Sequence, residues 1–460
     1  METETTPLTA LLGKEIKDCP CGKVHLIPTR EAVLAPGSLR LLPQMAGRWF
    51  PPGPVSCVAD QNTFAAAGQE AVGMLQKSGW GVAVRLADER STPVHADRGT
   101  VEALTAALKK DRAEALLAVG AGTINDIAKS AATAVGLPLI TVATAASMNG
   151  YPSAISALTV EGVKTTEPCR PPMAIIADPQ ILATAPPRMT GAGFGDLLSK
   201  NASTADWNMA HVLHGEYYCA FSATVAEEAV NRCIEQADAI RSGRPEGLAV
   251  LAEALLRSGI SMVIAGSSAP ASGGEHLISH LWDMTAHWTD RSPALHGEQT
   301  GVTTLICLRL YEKLLQLDEA GLRRLVDRKP PAKTPAAFEA KIRDTFRDIA
   351  EAVLPFARQK YLDGPSLSRR KEAIFKKWAE IRRAVTPVVI PAKTCRAHLK
   401  AAGAVHSADD LGISKEELVF AYRQARWIRN RYTVLDLAAE LGVLEHWQDE
   451  VLSFLYRFPS

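Results

Sequence analysis

The segment that most constrains the fold is residues 115–126, Ala-Leu-Leu-Ala-Val-Gly-Ala-Gly-Thr-Ile-Asn-Asp. An unbroken apolar run at 115–119 reads as a strand covered on both faces, as in a parallel sheet. Gly120-Ala121-Gly122 then turns the chain into a helical pattern over 124–135. Glycines between a strand and a helix let backbone amides approach a pyrophosphate, and the helix N-terminus adds positive partial charge. The spacing departs from the full G-x-G-x-x-G fingerprint, because position 125 is Asn. A purely structural Gly-x-Gly turn is the competing reading. The strand–turn–helix context favours nucleotide binding.

The surrounding pattern extends this unit. Strands are expected at 54–60, 81–86, 115–119 and 137–142, and helices at 63–75, 98–110 and 124–135. Residues 154–165 suggest a hairpin leading to a further strand at 173–177, and Pro186-Pro187 punctuates the chain. Such alternation predicts a parallel sheet with crossover helices. Asp60 ends an early strand. A carboxylate there accepts hydrogen bonds from ribose hydroxyls and disfavours a 2′-phosphate; Gln61-Asn62-Thr63 equally suits a helix capped by Asp60.

Beyond about residue 190 the segments become long, Ala- and Leu-rich and helical, without repeats or low-complexity tracts. The fold class expected is an α/β dinucleotide-binding domain followed by an all-α metal-binding domain, at 1–188 and 189–460, with the active site in the cleft between them. Asp196, His276 and His296 supply one carboxylate and two imidazoles, a set that suits a divalent ion with an open position rather than a closed structural zinc site. Zinc, iron and nickel all fit that set. Asp196 and Lys200 share a helix face, with a surface ion pair as the plain reading. His276 and His280 also share a face. His280 is read as a proton relay, a group orienting the ligands, a substrate contact or a structural histidine. Glu275 precedes His276, so this is not the H-E-x-x-H of metalloproteases.

Composition narrows the partners. The 460 residues carry a net charge of +1, which gives no electrostatic argument for nucleic acid or an anionic membrane. The N-terminus shows no secretory signal, and no apolar run is read as reaching transmembrane length. The cysteines are mostly isolated, favouring a reducing cytoplasm without a disulfide framework. Cys19-Pro20-Cys21-Gly22 with His25 is the one clustered thiol pair. A metal knuckle there needs a fourth ligand, and none is close in sequence, so the segment is read as a turn leading into a strand. The basic stretch 368–383 is read as a solvated helix face, and 328–334 as an exposed connection.

Several motifs carry a family resemblance: GAGTINDIAK at 120–129, TAASMNGY at 144–151, KTT at 164–166, GFGDLLSK at 193–200 and Asp206-Trp207. SGGEHLISH at 272–280, LHGEQ at 295–299 and IRNRYTVLD at 428–436 complete the set. In this order, over 30–445, the chain resembles the sn-glycerol-1-phosphate dehydrogenases of the iron-containing alcohol dehydrogenase and dehydroquinate synthase superfamily. The resemblance implies Asp196, His276 and His296 as ligands of one divalent ion (zinc, nickel or iron). It implies NAD or NADP held by Asp60, Gly120, Ala121, Gly122, Thr123, Asp126, Thr144 and Ser147. His280, Asn149 and Lys200 are the catalytic candidates, and Asn149, Lys164 and Lys200 the substrate-binding ones.

The family commonly has Asp where this chain has Asn149, so proton transfer or substrate choice is expected to differ here. The implied reaction is reduction of dihydroxyacetone phosphate to sn-glycerol 1-phosphate, within phospholipid metabolism. A dehydroquinate-synthase-like lyase or cyclase and a general polyol dehydrogenase are the alternatives. A small phosphorylated substrate, a homo-oligomer, a cytoplasmic location, no nucleic acid and no membrane insertion complete the expectations.

Overall fold

A computed structural model describes residues 7–88, 94–160, 163–289, 291–325 and 334–456. Among the described residues there are ten strands: β1 (Glu15–Ile16), β2 (His25–Leu26), β3 (Glu31–Val33), β4 (Pro54–Ala59), β5 (Gly81–Leu86), β6 (Ala115–Gly120), β7 (Leu139–Ala143), β8 (Ile155–Val160), β9 (Val163–Pro168) and β10 (Ala174–Ile176). Six form one sheet in the order β3-β10-β7-β6-β4-β5, every neighbouring pair parallel. β8 and β9 make the expected hairpin.

Leu116 and Ala118 of β6 pack into one core with Leu104, Leu108, Ile124 and Ile127. Leu117 and Val119 pack into another with Leu42, Met45, Leu75 and Val142. Alternate residues of one strand thus fill opposite layers, which is why β6 is apolar throughout. The helix at 98–110 begins where Asp97 accepts a bond from Thr100 N (2.7 Å). The helix at 122–135 ends at Gly136, whose φ of 75° suits glycine at a C-cap. The helical run expected at 63–75 spans Gln61 to Lys77 and widens into a π turn over Phe64–Gly68.

The chain divides into two compact units, the first comprising residues 1–197, 219–268 and 401–403, the second 198–218, 269–400 and 404–460. This differs from the expected single cut after residue 188. Helix Pro245–Ala265 packs on helix Ala220–Glu235, on β2 and on Pro179–Leu182, which draws a later helical segment into the first unit. That helix also corrects the sequence reading of apolar runs. Its 21 residues are long and apolar enough to cross a membrane, and 78% of its most apolar window is buried. Arg257, buried and bonded to Glu253 (2.8 Å), interrupts the apolar run that a linear scan looks for.

The second unit is helical. Gly274–Thr285 lies against His296–Leu315, which in turn packs on Val434–Glu440. The basic stretch 368–383 lies in helix Gly364–Val385, which buries Ile374, Phe375, Trp378 and Ile381 and leaves most of its basic residues exposed or half-exposed. Of the expected connection at 328–334, residues 328–333 lie outside the described residues.

Candidate active site

In the first unit, the nucleotide-type residues collect at the C-terminal edge of the parallel sheet. β4 and β6 pair with Val58 opposite Ala118, so Asp60 stands level with Gly120. β6 and β7 pair with Gly120 opposite Ala143, and Thr144 N donates to Gly120 O (3.2 Å). Helix Gly122–Val135 starts after Ala121 with no side-chain cap on its first amides, and Thr123 is exposed there. A side chain at 120 would place its Cβ 2.5 Å from Ile124 Cβ, so glycine is what lets strand and helix close up at this turn. Asp60 caps the next helix, its Oδ1 accepting from Thr63 N (2.8 Å) while Thr63 Oγ1 accepts from Asp60 N (3.0 Å). The capping reading is therefore realised, and any contact with ribose would be additional to it.

The loop after β7 is held from several sides. Lys129, fully buried, donates to Gly150 O (2.8 Å), Ser153 Oγ (3.0 Å) and Ile155 O (2.6 Å), and pairs with Asp126 Oδ1 (3.0 Å). Asp126, expected at the cofactor, is thus engaged by Lys129, and its Oδ2 accepts from Ala157 N (3.3 Å). Asn125, which stands at the last glycine position of the fingerprint, accepts from Thr141 Oγ1 (3.0 Å). Thr144 and Ser147 are buried at the start of this loop. Asn149 N donates to Asp196 Oδ2 (2.9 Å), and Asn149 Nδ2 donates to Ser258 Oγ (3.0 Å). Lys164 lies on β9 opposite Thr159, half-exposed.

In the second unit, His276, His280 and His296 stand together. The His276 ring centroid lies 5.9 Å from that of His280 and 5.0 Å from that of His296, and His280 lies 5.7 Å from His296. Glu275 Oε1 holds His276 Nδ1 at 2.8 Å and also accepts from Gly273 N (2.7 Å). Burial pushes the Glu275 carboxyl up to about 7. Asp206, also buried, accepts from Gly274 N (2.7 Å), Val434 N (2.8 Å) and Tyr311 Oη (2.5 Å), which ties down the start of the histidine helix. Burial, then the neighbouring Glu275 charge, raise Asp206 to about 7. Lys200 is buried and donates to Ser199 Oγ (3.1 Å) and Ala271 O (3.2 Å). Asp196 is buried as well, so a surface ion pair of Asp196 and Lys200, the plain alternative to their site roles, does not describe them: neither side chain is at the surface.

Relatives identify the family. The iron-containing alcohol dehydrogenase family model matches residues 33–186. A glycerol-1-phosphate dehydrogenase [NAD(P)+] of Geobacillus stearothermophilus is 30% identical over 436 residues, covering 93% of this chain and 97% of its own. The chain belongs to the glycerol-1-phosphate dehydrogenase family. A Pyrococcus horikoshii enzyme of the same name is 43% identical over 195 residues, covering 42% of this chain and 55% of its own. Among solved structures, the glycerol dehydrogenase of Schizosaccharomyces pombe superposes with a TM-score of 0.59 at 16% identity, over 92% of this chain and 90% of its own. That likeness speaks for the fold.

Within this family member, four supporting residues escaped the sequence reading of roles. Glu275, inside the motif at 272–280 but without a role of its own in the sequence reading, orients His276. Lys129 looks like an ordinary helix residue until its ammonium is found buried under the 149–155 loop. Tyr151 Oη donates to Ala145 O (2.8 Å) and Gly120 O (3.3 Å), joining that loop to the glycine turn. Ser258, on a helix more than a hundred residues away, fixes the Asn149 amide. Glu275, Lys129 and Tyr151 fall inside the motifs at 272–280, 120–129 and 144–151, which is the available signal; nothing local marks Ser258.

Proposed function

We propose that this chain reduces dihydroxyacetone phosphate, or a close phospho-ketose, to sn-glycerol 1-phosphate with NAD(P)H, and catalyses the reverse oxidation. As a family member it is an NAD(P)-dependent oxidoreductase. The observation that carries the substrate reading is the match to a glycerol-1-phosphate dehydrogenase across 97% of that enzyme's length.

One carboxylate and two imidazoles fit a divalent ion, and the orientation of His276 supports the assignment. A metal-binding histidine usually gives its other ring nitrogen to a carboxylate or carbonyl, as His276 Nδ1 does to Glu275. We assign Asp196, His276 and His296 as the ligands; zinc, nickel and iron all suit the donor set. When bound, the ion supplies Lewis acidity toward a substrate oxygen and the nicotinamide supplies hydride. The chain's own part is to bind and orient. The Asn149 amide fixes the rotation of the Asp196 carboxylate. The amides at 121–123 receive the cofactor's pyrophosphate, with Thr144 and Ser147 beside them and Asp60 at the ribose. His280 moves a proton to or from the substrate oxygen. Lys164 binds the substrate phosphate as a point charge, and Lys200 adds positive charge from its buried place.

The test follows reduced nicotinamide by absorbance with dihydroxyacetone phosphate, dihydroxyacetone and other phospho-ketoses in turn, over several divalent metals. The expected result is oxidation of the cofactor with the phosphorylated ketone and formation of the sn-1 phosphate. Phosphate release without cofactor consumption would indicate a lyase. Equal rates on free and phosphorylated ketones would remove the roles of Lys164 and Lys200 and indicate a polyol dehydrogenase.

A further inference from the structure

The N-terminal Cys-Pro-Cys-Gly segment lacked a fourth ligand in sequence, and the first unit brings one to it. Cys19-Pro20-Cys21-Gly22 forms a tight turn, with Gly22 N donating to Cys19 O (2.9 Å) and a φ of 80° at Gly22 that favours glycine. His25 opens β2, opposite Ile16 of β1. Cys219, 200 residues from Cys19, caps helix Ala220–Glu235 and accepts from Ser222 N (3.5 Å). The ligand atoms of Cys19, Cys21, His25 and Cys219 all lie within 4.8 Å of one another.

We propose that Cys19, Cys21, His25 and Cys219 bind a structural zinc ion. The spacings are those of a coordination tetrahedron. With Zn–S of about 2.3 Å and Zn–N of about 2.0–2.1 Å, its edges are roughly 3.8 Å between two sulfurs and 3.6 Å between sulfur and nitrogen. Cys19 Sγ to Cys219 Sγ is 3.6 Å, Cys21 Sγ to His25 Nε2 is 3.2 Å, and Cys219 Sγ to His25 Nε2 is 3.8 Å. The sulfur–sulfur separation is far beyond the roughly 2.05 Å of a disulfide. Three thiolates and one imidazole select zinc over harder cations, and four protein ligands leave no position for a substrate. Cys19, His25 and Cys219 are buried and Cys21 is partly so. The three thiols release their protons to solvent as zinc enters. The thiolate of Cys219 then sits at a helix N-terminus, where the backbone dipoles favour negative charge.

The hairpin explains why such a staple is needed. Each strand has only two residues, too few to hold by themselves, and Val24 and Leu26 are exposed rather than packed. Zinc would tie this hairpin to helix Ala220–Glu235 of the same unit. The site is independent of the catalytic assignment.

The experiment uses the full chain in a His276→Ala background, purified from zinc-supplemented medium, with zinc measured by elemental analysis and the cobalt-exchanged protein by absorption. The expected result is about one zinc ion per chain, with thiolate-to-cobalt charge-transfer bands after exchange. Adding Cys21→Ser, the least buried ligand, should remove both. Should that variant fold poorly, titrating thiols of the otherwise unaltered protein with an organomercurial should release the zinc to a chromophoric chelator. Absence of zinc with no cobalt–thiolate bands, or a Cys19–Cys219 disulfide found as a loss of two hydrogens in the unreduced protein, would overturn the proposal. Zinc retained undiminished in folded Cys21→Ser would also overturn it.

Discussion

Replacing Gly193 with Ala should damage the active site without touching any group that performs chemistry. A Cβ at 193 would lie 2.0 Å from the carbonyl oxygen of Ala146 and 2.9 Å from its carbonyl carbon. Ordinary contact begins at 3.4 Å, so helix Pro187–Leu198 and the loop at 144–149 must separate by about 1.4 Å. The obstacle is main chain on both sides, which no rotamer change relieves. Overpacking of this kind costs about 1–3 kcal/mol, and the upper end applies here. Asp196 lies one turn further along the same helix, and its Oδ2 takes the Asn149 amide in that same loop. A displacement of about 1 Å at a reacting centre can lower the rate about 100-fold.

The assay pairs thermal unfolding with kcat/KM for the phosphorylated ketone. Gly193→Ala should lower the melting temperature by several degrees and kcat/KM by about 100-fold. Gly73→Ala serves as the control: nothing lies within 4 Å of its added Cβ, and alanine in helix Gln69–Lys77 should be stabilising by roughly 1 kcal/mol. Unchanged melting and kcat/KM in Gly193→Ala would refute the argument that this close approach sets the position of Asp196.

Four further outcomes are expected. Glu275→Gln should weaken divalent-metal affinity about 10- to 100-fold, measured by chelator competition, and unaltered affinity would remove its orienting role. Asp60→Asn keeps a good cap, so stability should hold within about 0.5 kcal/mol while preference for NAD(H) over NADP(H) declines; an unchanged preference would place the ribose elsewhere. Asn149→Asp should raise turnover several-fold or add a titration to the acid limb of the rate profile, since a carboxylate can carry a proton where the amide cannot; an unchanged rate and profile would leave Asn149 a positioning group. For Asp206, burial raises the folded-state value to about 7, so the folded chain binds the extra proton between about pH 4 and 7 and this group's contribution to stability falls as pH rises through that window. Comparing urea midpoints at the two ends of the window, Asp206→Asn should flatten that fall; the same slope in both proteins would locate it in other groups.

The strand at 81–86 and the helix at 98–110 were legible residue for residue, because period, capping and turn chemistry operate within windows of a few residues. The glycine turn stands out for the same reason, whereas the candidate ligand residues at 196, 276 and 296, up to a hundred residues apart, stand out by residue type and by the family resemblance of the motifs around them. Tertiary structure alone decided which distant groups answer them. Cys219 reaches the Cys19 turn, Ser258 reaches the Asn149 amide, and the Ala146 carbonyl demands glycine at 193. Nothing in the local sequence marks Lys129 or Lys200 as buried, and packing turns both ammonium groups toward main-chain carbonyls. Local pattern sets which faces are apolar and where the chain turns. The close packing of those faces then chooses partners from 21 to 200 residues apart, and no short window contains that choice.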